Sequence, residues 1–322
     1  MSPEDIQFIR QGLPETLAFP YYPDRESPWL LATMLRAPAP VAELRTGPAG
    51  RLLGRPLVRP VVAACGGLLH PADVAAVAEA YRDPDAAGAA GQAGLQAAYA
   101  ADWSDFEISL AEWGVGRQQW WAQVSRPGGN LVVQLGFPSD HATLMGRYLY
   151  GAGRKLFEYE EHPIRQTGRP TLAWARLDID MDAGVALIEE VQSDWLRFAG
   201  EEIAYLARHC PRSRQLRQLQ VYEAGLKERY GRIWPRAMLL AVLILLRNEL
   251  GCREVWMHQP GPGAALKGIS GALPPRSIYT ALPRHFGFRA VREVPAFLER
   301  PARRKLRRLR KGAGPLFWKL AL

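Results

Sequence analysis

The most regular patterning along the chain is a pair of apolar-alternating runs set around an acidic turn. Leu172–Ile179 and Val185–Trp195 are rich in strand formers, and Asp180, Asp182 and Gly184 between them supply turn chemistry. The pattern predicts a β-hairpin. Side chains alternate along a strand, so Glu190, Gln192 and Asp194 fall on one face, continuing from Ala186 and Ile188. Glu189, Val191, Ser193 and Trp195 fall on the other. Three polar groups at period two make a candidate site, although a solvated strand end accounts for the same row without any function.

The same reading extends in both directions. Pro- and aromatic-rich residues 1 to about 60 read as an extended lead-in with a helix over Trp29–Arg36, and an apolar run covers Leu57–Cys65. Pro71 suits the first turn of a helix reaching about Tyr81. The Ala- and Gly-rich stretch Asp83–Asp102 reads as a helix over 90–101 or as a connector. Alternation from Asp105, then Gln118–Arg126 and Asn130–Phe137 joined by Pro127-Gly128-Gly129, predicts an antiparallel meander. Ser139 or Asp140 can cap a helix over Ala142–Tyr150. Lys155–Glu161 is the next expected strand.

Beyond the hairpin, polar helices are expected over 196–209 and 213–230, and an almost wholly apolar, buried helix starts at Trp234-Pro235 and ends at Gly251. A strand over 253–258, a long Gly/Pro-rich loop Pro260–Pro275, a helix Ser277–His285 and a strand Phe288–Val294 complete the series. The fold class that results is α/β (α+β), with a mixed, mainly antiparallel sheet flanked by helices. The organisation expected is an N-terminal Pro/Ala-rich helical region over 1–100, an α/β domain over 101–300 and a basic tail over 301–322.

Charge sharpens the last boundary. The chain of 322 residues has a net charge of +9, and residues 301–322 hold eight basic residues and no acid. The remainder is close to neutral. On a helix, Ala302, Leu306 and Leu309 share a face while Arg303, Arg304, Arg307, Arg308 and Arg310 cover the rest. Such a segment can bind nucleic acid by phosphate neutralisation or an acidic membrane surface, or it can dock through its apolar stripe with solvated arginines. The longest apolar run, Ala237–Leu246, is ten residues, against roughly 20 for a membrane span. The polar start lacks signal-peptide character, so the expected location is cytoplasmic. The three cysteines are far apart, which argues against a disulfide scaffold or zinc site, and Cys252 reads as a small core residue. Asp178, Asp180 and Asp182 read as turn chemistry rather than a cation loop, so no metal is expected. His141, His162 and His258 have no partner at a telling spacing and receive no role.

The segment LAWARLDIDMDAGVALIEEVQSDW resembles one found in large polyvalent proteins of phages and other mobile elements, and the likeness is specific at Glu189, Glu190, Gln192, Ser193, Asp194 and Trp195. The order of elements after it is similar to that of GNAT-type N-acyltransferases. That resemblance implies Glu190, or Glu189, as a base and Tyr279 as the acid that protonates a leaving thiolate. Gln192, Asp194, Trp195 and Arg176 would bind substrate. The amides of Pro235–Met238, with Arg232 and Arg236, would hold the pyrophosphate of an acyl-CoA. Three departures stand out: Gly231-Arg232-Ile233-Trp234-Pro235 replaces a Gly-rich phosphate loop, about 40 residues separate the strand from the buried helix, and Tyr279 lies eight residues before Gly287-Phe288 where the family has about four. The implied function is a GNAT-like transferase moving an acyl or aminoacyl group, from acyl-CoA or aminoacyl-tRNA, to an unidentified acceptor. The alternative is a non-catalytic nucleic-acid-associated factor acting through its C-terminal tail.

Overall fold

In the computed structural model, residues 1–80, 103–115, 122–148, 157–159, 161–165, 167–271 and 273–322 are described. The expected helix 90–101, the first part of Gln118–Arg126 and the start of Lys155–Glu161 lie outside them. The strands are β1 (Thr16–Tyr21), β2 (Ser104–Trp113), β3 (Asn130–Gly136), β4 (Thr171–Asp180), β5 (Val185–Gln192), β6 (Glu254–His258), β7 (Arg289–Val291) and β8 (Phe317–Ala321). The protein is a mixed α/β chain whose strands pair mainly antiparallel and are flanked by helices.

The chain divides into two compact units, each built from three segments. The first holds Met1–Phe19, Asp105–Ile179 and Ile188–Leu245. Its strands follow the order β1-β2-β3-β4-β5. β2 runs antiparallel to β3 from Glu107↔Gly136 to Trp113↔Asn130, and β3 antiparallel to β4 from Leu131↔Leu177, with a bulge between Leu135 and Gly136. Every residue of β3, and all of β4 except Asp180, is buried. Strands apolar on both faces need cover on both sides. Helices supply some of it: Asp194–His209 is capped by Ser193, Arg214–Arg229 by Ser213, and Trp234–Ile244 buries an unbroken row from Ala237 to Leu243. The first two were expected from sequence almost at these bounds. Ser193 and Asp194, expected to continue the strand, instead start a helix, because the Ser193 hydroxyl accepts the Leu196 N–H.

The second unit holds Pro20–Ser104, Asp180–Leu187 and Leu246–Leu322. Here β8 runs antiparallel to both β6 (Phe317↔His258) and β7 (Phe317↔Val291), so the last strand lies between two earlier ones. The hairpin turn joins this unit through Gly184, whose carbonyl accepts from the N–H groups of Arg253 (2.8 Å) and Glu254 (3.3 Å). Gly184 has φ +63°, a conformation that favours glycine.

Several expectations are revised. Within residues 301–322, Arg303–Leu309 is a helix, and Ala302, Leu306, Leu316 and Phe317 lie in one apolar cluster with Leu187, Trp256, Leu266 and Leu298. The docking reading of the apolar stripe describes it. Pro260–Lys267, expected as loop, is a helix with proline in its first turn, where a missing N–H costs nothing. Ala122 sits in a 3-10 turn and 123–126 in coil rather than strand, and Phe157–Tyr159 is turn and coil. Cys252 is buried as expected, and burial pushes its thiol up to about 11. Among the described residues no helix is long and apolar enough to cross a membrane.

Candidate functional site

The polar row of the hairpin lies in the first unit, and each member has a different partner. Glu189 is fully buried, and its carboxylate accepts from the Ser125 N–H (3.0 Å) and hydroxyl (2.9 Å). Glu190 is ion-paired with Arg176. Arg176 is 1% exposed, donates to the carbonyls of Ala122 (2.5 Å) and Gln123 (3.2 Å), and lies 5.0 Å from the Trp113 ring. It therefore holds the 122–126 segment against β4. The next polar residue along β4, Asp178, takes Arg126 through two hydrogen bonds (2.7 and 2.8 Å) and the Met1 amine at 3.1 Å. Asp180 accepts the Ala183 N–H and closes the hairpin turn.

Asp194 is the convergence point. One oxygen accepts from His162 Nδ1 (2.8 Å) and the Trp174 indole N–H (2.9 Å), the other from Arg197 (2.9 Å) and Gln192. Burial alone would push its carboxyl up. Hydrogen bonds from His162, Trp174 and Gln192, with attraction to the His162 ring, outweigh that and hold it below the usual carboxylate range. An ionised carboxylate only accepts, so His162 carries its proton on Nδ1, leaving the Nε2 lone pair as the basic atom. Nε2 has no hydrogen-bond partner among the described residues, and the side chain is 21% exposed. Trp113, Tyr159 and Trp174 present rings around it at centroid distances of 6.2, 4.7 and 5.3 Å. An imidazole oriented by a buried carboxylate, with its second nitrogen open, is the arrangement of a general base.

The remaining expected residues are dispersed. Trp195 is fully buried and donates to the Tyr222 hydroxyl (2.8 Å), which in turn meets His141 Nε2 at 3.1 Å. Tyr279 belongs to the second unit, buried, its backbone carbonyl accepting from Trp318. At the buried helix, the preceding turn runs straight into the first: Trp234 N–H is bound to the Tyr230 carbonyl and Ala237 N–H to that of Ile233, and Pro235 has none. At this helix start the amides of Trp234 and Ala237 are thus already taken, and Pro235 has none to offer a pyrophosphate. Arg232 is exposed beside it and Arg236 half-buried. Of the expected set, Glu190 with Arg176, and Gln192 with Asp194, come together. His162, Trp174, Trp113 and Ser125 were not anticipated, and the only prior sign of His162 was an unassigned histidine.

By class, then, this is a mixed α/β protein whose first unit carries an aspartate-held histidine beside a buried arginine paired with a half-buried glutamate. Compared with protein-family models, with curated proteins and with solved structures, the chain matches none.

Proposed function

We propose that the chain is a transferase that moves an acyl or aminoacyl group to a nucleophilic acceptor, with His162 as general base. The observation that carries this reading is the Asp194–His162 pair with Nε2 open. In the step proposed, His162 Nε2 takes the proton of the acceptor N–H or O–H as that atom bonds to the acyl carbonyl carbon, and Asp194 stabilises the imidazolium that forms; the tetrahedral adduct then collapses with cleavage of the donor's acyl C–O bond (C–S for a thioester), and the imidazolium returns the proton to the departing oxygen or sulfur. Glu190, which a GNAT-like core would make the base, then acts by fixing Arg176 and the segment carrying Ala122 and Gln123. The succession of strand, helix, strand, helix and strand from β5 to β7 supports the GNAT-like core. The occupied amides of Trp234 and Ala237, with none at Pro235, favour an aminoacyl donor over acyl-CoA held at that helix.

The test is transfer from a panel of labelled aminoacyl-tRNAs and acyl thioesters to small amines and proteins. Any activity found should fall about 10²–10⁴-fold in His162→Gln and Asp194→Asn, and much less in Tyr279→Phe. Full activity in a folded His162→Gln protein would end this reading.

The second reading, a nucleic-acid-associated factor, is favoured by the exposed Arg303, Arg304, Arg307 and Arg308 on one short helix; Arg310 beside them is paired with Glu299. Deleting 301–322 would remove buried Phe317, Trp318 and Leu320, so charge substitution is the sound test. Changing the four arginines to alanine should flatten the salt dependence of oligonucleotide binding if this helix contacts phosphates.

A further inference from the structure

The helices Asp194–His209 and Arg214–Arg229 of the first unit pack against each other and are joined by a tight turn. Three hydrogen bonds close it: Cys210 N–H to the Leu206 carbonyl (2.7 Å), Ser213 N–H to the Cys210 carbonyl (3.0 Å) and Leu216 N–H to the Ser213 hydroxyl (3.1 Å). Leu206 and Leu216 are buried on either side of the turn, so what lies between them is displayed on an ordered tip. Arg208, Arg212, Arg214 and Arg217 are all exposed there.

From Ile203 to Tyr222 the chain carries these four arginines and no acidic residue. None of the four forms an ion pair among the described residues. Arg217 donates instead to the Arg212 backbone carbonyl (3.2 Å), which draws its guanidinium toward the turn. Solvated helix faces usually set such cations against acids three or four residues away. Arg214 and Arg217 moreover stand in the first turn of their helix, whose positive end disfavours cations, so the stability of the fold does not account for the cluster.

An aromatic pair lies beside the arginines. Tyr205 is 55% exposed, and its ring centroid is 4.3 Å from that of His209 with the planes 30° apart. His209 Nδ1 donates to the Tyr205 carbonyl (2.9 Å), which fixes the imidazole against the phenol ring before any ligand arrives. A single strand of nucleic acid presents what this surface would take, phosphates at regular spacing and bases with free faces. Duplexes keep those faces inside the stack, and an acidic peptide or lipid surface has none.

We propose that this helical tip binds single-stranded nucleic acid, with phosphates on Arg208, Arg212, Arg214 and Arg217 and a base stacked on the Tyr205–His209 pair. The surface is separate from the arginines of Arg303–Leu309, which belong to the second unit, and the proposal depends on neither reading given above.

The experiment is fluorescence anisotropy of the full chain with labelled oligouridine and oligothymidine of equal length, and with an abasic phosphodiester strand of that length, across a salt series. Salt-sensitive binding of at least one oligonucleotide, weaker for the abasic strand, is expected, and the tighter of the two tells RNA from DNA. Tyr205→Leu should lower the affinity about tenfold with the salt slope unchanged, whereas Tyr205→Phe, which keeps the ring, should match the wild type. Changing the four arginines together to alanine should make the slope of log affinity against log salt shallower by about 3, at roughly 0.7 per phosphate contacted. All five positions are exposed, so the variants should keep the wild-type Tm. No binding at low salt, wild-type affinity in either Tyr205→Leu or the four-arginine variant, equal affinity for the abasic strand, or preference for phosphatidylserine vesicles would overturn the proposal.

Discussion

His141 is 1% exposed, and its ring lies nearly parallel to Phe137 with centroids 3.5 Å apart. Trp195 donates to the Tyr222 hydroxyl, so that hydroxyl's own proton points to His141 Nε2, and the remaining ring proton sits on Nδ1, which has no partner. Desolvation and the Arg229 guanidinium push the imidazole down from an ordinary 6.5 to about 4, against a weaker upward pull from Asp140. The native state therefore holds His141 neutral, while the unfolded chain takes up a proton as pH falls below about 6.5. The stabilisation is complete above that value and is lost progressively as pH falls toward 4. The loss over the whole interval is about 3 kcal/mol, of which about 2 kcal/mol has gone by about pH 5.

Urea unfolding at about pH 7.5 and about pH 5 measures the slope. Carboxylates also contribute on the acid side, so the comparison that isolates the histidine is His141→Gln, which keeps an acceptor for Tyr222 but cannot titrate. The wild type should lose about 2 kcal/mol more than the variant between the two pH values. Equal slopes in both proteins would refute the buried neutral imidazole.

Three further outcomes are expected. Arg176→Met should destabilise by about 3–5 kcal/mol in denaturant melts, because it removes the cation from Glu190 and the donor from the carbonyls of Ala122 and Gln123; a loss under about 1 kcal/mol would show that the pair is weakly held. In the second unit, Glu26 is fully buried and accepts from His285 Nε2 (2.6 Å) and the Tyr21 hydroxyl (2.9 Å). Burial would raise its carboxyl, but those hydrogen bonds win and hold it below the ordinary 4.5. Its contribution is thus present above about 4.5 and lost as pH falls further, so Glu26→Gln should flatten the acid limb of a stability profile. Leu306→Ala should cost about 2–5 kcal/mol, whereas Arg307→Ala on the exposed side of the same helix should stay within about 0.5 kcal/mol, both read from thermal or urea melts.

Which parts of this molecule can be read from its sequence depends on how local their causes are. β3 and β4 are legible because Leu131–Leu135 and Leu172–Ile179 bury almost every residue, and the buried helix because Ala237–Leu243 is apolar on all sides. The helix Pro260–Lys267 is hidden because prolines and glycines read as loop unless one knows that the prolines fall in the first turn. β8 is hidden differently: Phe317-Trp318-Lys319-Leu320 reads as an apolar end, and only its pairing with β6 and β7 makes it an interior strand.

The site follows the same rule. Period-two spacing puts Glu190 and Gln192 on one face, yet alternation assigns a face and never a partner. Glu189 meets Ser125 from 64 positions away, Glu190 meets Arg176 across the hairpin, and Asp194 meets His162 at a separation of 32. Each partner changes the chemistry open to its carboxylate. Glu190 is held by a cation, whereas Asp194, fixed by four donors, orients a histidine whose Nε2 is left open. In the proposed reaction the acidic motif supports the base rather than serving as the base itself.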